Sequence, residues 1–151
     1  MVTETTSQIL SDDELAAPEL TTYFYISGWD FDPGKCTLTI GLEPSEIWKQ
    51  KHKHLLDRRD VPNTSWNLGK QKQRKYSVSE AVDEVLDLIW PKRKEIIRFS
   101  RDNSFNVGVT CSITIYDDRP VYDLSLKTIK RLADLGCEFS LDIFDYSTGD
   151  E

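Results

Sequence analysis

The sequence predicts an α+β fold, a largely antiparallel sheet with two main helices packed on one face, and three observations carry that expectation. Ser77-Val78-Ser79-Glu80 is a capping box, and behind it Val78, Ala81, Val82, Val85, Leu86 and Ile89 recur at the spacing of one buried helical face. FNVGVTCSITIY sets Phe105, Val107, Val109, Cys111, Ile113 and Ile115 against Asn106, Gly108, Thr110, Ser112 and Thr114, the period-2 pattern of a strand with one face in the core. DLSLKTIKRLADLG then offers Asp123 or Ser125 as helix cap, Leu126, Ile129, Leu132 and Ala133 as an inner stripe, and Gly136 as C-cap.

The remaining elements follow in chain order. TTYFYISG crowds β-branched and aromatic residues before Gly28 and reads as the first strand. In WDFDPGK, Asp32 suits a helix N-cap and Pro33 the first helical position. CTLTI alternates like a strand, but Pro33 and Gly41 bracket it as a short helix, which is the reading adopted. GLEPSEIWKQ is a turn, and TSWNLG is the strand-like piece of an otherwise long polar stretch from Lys49 to Lys75. Pro91 should end the helix at 78–89. EIIRFS reads as a strand, DDRP as a turn, and CEFSLDIFDY, alternating Cys137, Phe139, Leu141 and Ile143 against Glu138, Ser140 and Asp142, as the last strand. Two βαβ-like halves suggest an elaborated ferredoxin-like arrangement, with strand order left open.

Around this domain, residues 1–20 carry acids without lysine or arginine and little apolar surface to offset ordering, so they read as a disordered acidic tail. A helix over Ser11–Ala17 has a capping box in Ser11 and Glu14 and is closed by Pro18. The single domain spans 21–146, and 147–151 form a polar end.

A formal charge of -7 argues against general nucleic-acid affinity, which depends on neutralising phosphate. Three cysteines without CxxC spacing exclude a full disulfide framework and fit buried thiols in a reducing cytoplasm. No apolar run approaches the length of a membrane span, and the N-terminus lacks the features of a signal peptide, so no membrane is expected.

Few residues suggest chemistry. His52 and His54 share a face if extended, yet they lack further ligands and sit among Lys49, Lys51 and Lys53, which would repel a dication; no metal or cofactor is expected. Between Lys49 and Lys75, nine cations oppose only Asp57 and Asp60, a local charge of 9 − 2 = +7. That cluster either meets an anionic partner or pairs with acids of its own chain. Trp29, Phe31, Trp48, Trp66 and Trp90 lie near element ends, where large rings either roof the core or anchor an interface. The candidate interaction surface is therefore Trp29, Trp48, Lys49, Lys51, Lys53, Arg58, Arg59 and Trp66. Asp30 with Asp32, and Asp117 with Asp118, suit capping and turns; Asp142 interrupts an apolar run and would need a partner if buried. No GxSxG elbow, Walker loop or dinucleotide glycine pattern is present, so no catalytic residue is proposed.

The order of a first strand, Asp30-Phe31-Asp32-Pro33, Ile40-Gly41-Leu42-Glu43-Pro44, Ser65-Trp66 and Leu132 through Leu135-Gly136 into Leu141-Asp142-Ile143-Phe144 resembles the bacterial family DUF4279, over residues 21–146. The basic segment after Trp48 departs from that pattern, where a glycine-containing turn usually follows the GLEP-like element. The resemblance implies a small cytoplasmic bacterial α+β domain, and no site residue. The expectation is a non-enzymatic module that binds another protein, in the form of an immunity-type or regulatory inhibitor, its acidity steering it to a basic effector. Two alternatives stand beside it: a small-ligand binder or enzyme with a pocket between the sheet and loop 47–75, and nucleic-acid binding through the basic loop.

Overall fold

The computed structural model describes residues 11–49 and 64–147. Along the chain lie α1 (Asp12–Ala16), β1 (Glu19–Gly28), α2 (Pro33–Ile40), β2 (Glu46–Lys49), β3 (Thr64–Gly69), β4 (Gln73–Arg74), α3 (Val78–Ile89), a 3-10 turn (Trp90–Lys92), α4 (Arg93–Asn103), β5 (Asn106–Ile115), α5 (Leu126–Leu135) and β6 (Glu138–Asp145). The chain is α+β, and the sheet runs β2-β3-β1-β5-β6 with β4 on β1. Every pairing is antiparallel except β5 with β6. The β1–β3 half and the β5–β6 half lie side by side, so they do not interleave as the halves of a ferredoxin-like sheet do.

Local chemistry sets the helices. Asp32 accepts from the Gly34 and Lys35 amides at 3.0 and 3.3 Å, and Gly41 closes α2 in the left-handed conformation, so the bracketing by proline and glycine outweighs the alternation of CTLTI. Ser77 caps α3, and Ser125, rather than Asp123, caps α5. The segment 95–100, expected as a strand, is helical. Pro91 does not end the helical run because it stands at the start of the 3-10 turn, where its missing N–H costs no hydrogen bond, and α4 continues directly. Ile96, Phe99 and Ser100 then face inward at helical spacing.

One face of the sheet is apolar. From β1 it carries Leu20, Phe24 and Ile26, from β3 Trp66, and from β5 Val107, Val109, Cys111, Ile113 and Ile115; all are buried with Val82, Val85, Leu86 and Ile89 of α3. The opposite face holds the alternate residues: Thr21, Tyr23 and Tyr25 of β1, Asn67 and Gly69 of β3, Thr110 of β5 and Ser140 of β6. Tyr25 lies across Gly108, where a Cβ would collide with its hydroxyl oxygen, and it donates to Glu138 at 3.2 Å. Burial, joined by the Glu138 charge, pushes that phenol up to about 12.

Three further expectations change. Residues 11–20, assigned to the tail, hold α1 and the start of β1, and the Ser11–Glu14 capping box is formed in both directions. The GLEPSEIWKQ turn contains β2. On α5 the buried residues are Thr128, Arg131, Leu132 and Leu135, while Leu126, Ile129 and Ala133 of the expected inner stripe are exposed.

Candidate functional site

The proposed surface residues do not form one patch. Trp66 is fully buried: it packs edge-on against Phe24 and donates from Nε1 to the Thr37 hydroxyl at 3.0 Å, which removes it from any interaction surface. TSWNLG forms β3 as its pattern suggests, and the pairing of Trp66 with Ile26 puts it on the core side, which a short strand-like stretch alone does not reveal. Trp29 is half-buried just beyond β1. Trp48 is 53 % exposed on β2, with its ring 6.3 Å from Tyr23, and Lys49 is exposed beside it. Lys51, Lys53, Arg58 and Arg59, together with His52 and His54, lie outside the described residues.

The later half of the basic cluster is turned toward its own chain. Arg74 Nη1 donates to the carbonyl oxygens of Glu14, Leu15 and Ala17 at 3.3, 2.7 and 2.9 Å, and Arg74 lies 3.6 Å from Glu19. Three carbonyls at the end of α1 need donors there, and a guanidinium supplies a fork of them. Lys75 reaches Glu84 of α3 at 2.6 Å, and this hydrogen bond holds the Glu84 carboxyl below the usual range. Lys72 lies 3.9 Å from Glu19. These cations are thus engaged with the backbone carbonyls at the end of α1 and with the acids of β1 and α3.

Reactive chemistry finds little footing. Burial pushes the Cys36 and Cys137 thiols up to about 12 and raises Cys111, so the nucleophilic thiolate is suppressed. Among the described residues, no group of three or more His, Cys, Asp or Glu is placed to hold a metal ion, and no helix is long and apolar enough to cross a membrane. Asp30 adopts a left-handed turn conformation, with φ 52°, and Asp32 caps α2, so that pair is turn and cap; Asp118, in the bend after β5, accepts from the Tyr76 hydroxyl at 2.7 Å. Asp142 is exposed and needs no buried partner.

A surface that the sequence did not single out lies at the far edge of the sheet. Leu141 and Ile143 of β6 stand opposite Cys111 and Ile113 of β5, on the core side. The β5 residues are fully buried, whereas Leu141 and Ile143 are 36 % and 47 % exposed, because the helical layer ends before it covers β6. Phe144, on the opposite face of β6, and Ile129 of α5 are each 49 % exposed. The outer edge of β6 pairs with no other strand among the described residues. Within its eight residues stand Glu138, Asp142 and Asp145 and no cation; Asp145 is bound to Arg119 at 2.7 Å. Strong alternation in EFSLDIFD signals a strand, but cannot tell an internal strand from an edge one.

No curated protein and no solved structure matches the chain. The model of a family described as a domain of unknown function, DUF4279, matches residues 18–146, from the residue before β1 to the residue after β6. Its span coincides with the sheet and the helices α2–α5 and leaves α1 outside, and the chain belongs to the DUF4279 family.

Proposed function

We propose that the protein is a non-enzymatic interaction module, of the immunity-type or regulatory-inhibitor kind, and that β6 is its contact element. One observation carries this reading: β6 combines an outer edge that pairs with no strand among the described residues with half-exposed Leu141, Ile143 and Phe144 and a surplus of carboxylates. An open edge is a template for another strand, which adds main-chain hydrogen bonds while alternate side chains supply specificity. The apolar members reward a partner with aliphatic residues at every second position. The carboxylates reward lysine or arginine between them and steer a basic partner to the site. A second copy of the chain would set the same three acids near their own images, which opposes self-association through this edge. The small-to-moderate net acidity of the whole chain acts in the same direction.

The test uses the full chain with a photo-crosslinking residue at Ile143, and at Arg98 on α4 as a control position, in lysate of the source cells. A basic protein crosslinked from position 143 and not from 98 is expected, lost in Asp142→Lys and weakened as salt rises from about 50 to about 500 mM. Crosslinks only between copies of the chain, equal crosslinking from both positions, or capture that survives Asp142→Lys would each overturn the assignment.

A further inference from the structure

We infer that the sheet face opposite the helices carries a second, separate site, a groove between β1, β2 and β3 that binds the ring of an uncharged saccharide. The groove has a volume of about 360 Å³ and is lined by Tyr23, Trp48, Asn67, Glu46, Lys70 and Gln71, with Thr21, Ser45 and Gly69 completing it. Its size falls at the small end of ligand sites, suited to one ring rather than an extended chain.

Sheet register builds the groove. Trp48 stands opposite Ser65 on β3, and Tyr23 stands opposite Gly69 on the same strand from the other side. Both partners on β3 are small, so the two large rings flank a low strip of β3 between them. Asn67 lies in that strip. The rings approach to 6.3 Å with their planes at 52°, which makes an angled aromatic wall rather than a closed stack. Gly69 cannot be enlarged without disturbing this arrangement, because a Cβ would lie 2.7 Å from the Thr22 carbonyl oxygen and from Tyr23 Cβ. Ser45 fixes the end of the groove: its hydroxyl accepts from the Gly69 amide at 3.1 Å, and its own amide donates to the Asn67 carbonyl at 2.7 Å.

The polar lining selects the ligand class. Asn67 is 4 % exposed; its Oδ1 accepts from Ser65 at 2.8 Å, and its amide nitrogen has no partner among the described residues, so that nitrogen is a donor for a ligand oxygen. Thr21, Gln71, Glu46 and Lys70 supply both donors and acceptors around the aromatic wall. A pyranose ring presents an apolar C–H face to such a wall and a belt of hydroxyls, each both donor and acceptor, to such a rim. Phosphate-bearing ligands fit less well, because Lys70 is offset by Glu46 in the same lining and the whole chain carries -7. The groove is formed by β1, β2 and β3, at the other end of the strand order from β6, so a ligand there and a strand partner at β6 occupy different surfaces.

The test is retention of the full chain on an array of immobilised neutral, acidic and phosphorylated oligosaccharides, followed by titration of the retained ones against tryptophan fluorescence. Wild type is expected to hold neutral glycans with dissociation constants of about 0.1 to 10 mM. Trp48→Ala, which removes an exposed ring and should leave the melting temperature unchanged, is expected to weaken binding at least about tenfold. Asp142→Lys should bind as wild type does, which separates this site from β6. No retained glycan, retention only of phosphorylated ones with loss at high salt, or equal binding by Trp48→Ala would overturn the inference. Thr21→Ala offers a second variant, with a loss of about two- to fivefold expected.

Discussion

Arg131 is a cation on α5 that no local pattern singles out, yet it is only 7 % exposed. Its guanidinium donates to Asp83 at 3.2 Å and to Asp87 at 2.8 Å across to α3, and lies 4.8 Å from the centre of the Trp90 ring. Thr128 donates to the same Asp83 oxygen at 2.9 Å, and Ser79 and Ser125 join through the Thr128 hydroxyl. This polar cluster ties α3 to α5 and explains why α5 turns Thr128 and Arg131 inward while Ile129 faces out. A stripe of aliphatic residues predicts the wrong face here because satisfied polar groups can substitute for apolar ones at a helix contact. Replacing Arg131 with Met strands the two aspartates, but their side chains remain 28 % and 69 % exposed, so water relieves part of the penalty of a broken buried pair. We expect a loss of about 1–3 kcal/mol by urea unfolding. Arg131→Lys should recover less than half of it, since an ammonium cannot match the two-pronged donation or lie flat on Trp90. A stability change within about 0.5 kcal/mol for Arg131→Met would contradict this account.

At the scale of elements, most boundaries were legible because their signals were local. Capping at Ser77, the proline and glycine around α2, Gly136 after α5 and the alternation of β5 all depend on residues within one turn or one pleat of each other. α4 was not legible for the same reason. EIIRFS is short and mixes isoleucine with phenylalanine, a composition that fits either state, and Pro91 suggested a stop where the chain instead passes through a 3-10 turn. What decides between the states is packing: Phe99 meets Phe31 at 6.1 Å and Phe105 at 5.4 Å, and α4 lies against α2. The two readings make opposite forecasts for substitution. A strand would place Ile96, Arg98 and Ser100 on one face, whereas the helix buries Ile96, Phe99 and Ser100 and leaves Arg98 exposed. Ile96→Ala should therefore cost about 2–4 kcal/mol and Arg98→Ala less than about 0.5. Comparable losses at both positions, by thermal or urea unfolding, would speak against the helix.

For the molecule as a whole, composition and pattern revealed the class of fold, yet the exposed rim of β6 and the groove on the other sheet face depend on strand order, which no short stretch encodes. Trp66 illustrates the limit: TSWNLG reads as a strand, but only the pairing of β3 with β1 decides that Trp66 faces the core and not the surface. The same global arrangement sets how folding should respond to pH. Glu14 is held low by Ser11, Glu84 by Lys75 and Asp145 first by Ser147, so each carboxyl titrates lower in the folded chain than in the unfolded one. Their contribution is present above the ordinary carboxylate values of 4.5 and 3.8 and is lost as pH falls through the lowered ones. The tyrosines act with the opposite sign. Tyr25 is raised to about 12, chiefly by burial, and Tyr76 and Tyr116 are raised by donating to Asp118 and Glu19. The unfolded chain loses these protons from the ordinary value of 10.0 upward, and those of the buried Cys36 and Cys137 thiols from 9.0 upward, while the folded chain retains both, so stability declines as pH rises from 9.0 toward about 12. Melting temperatures measured across the range should form a plateau between these limits, falling on both sides. On the alkaline side, Tyr25→Phe should flatten part of the fall by removing a phenol raised to about 12, leaving the part due to Cys36 and Cys137, and Lys75→Met should flatten the acid side by freeing Glu84. A plateau that continues undiminished well above the ordinary tyrosine value, or an alkaline fall unchanged in Tyr25→Phe, would show that the hydroxyl laid across Gly108 toward Glu138 does not couple folding to its proton.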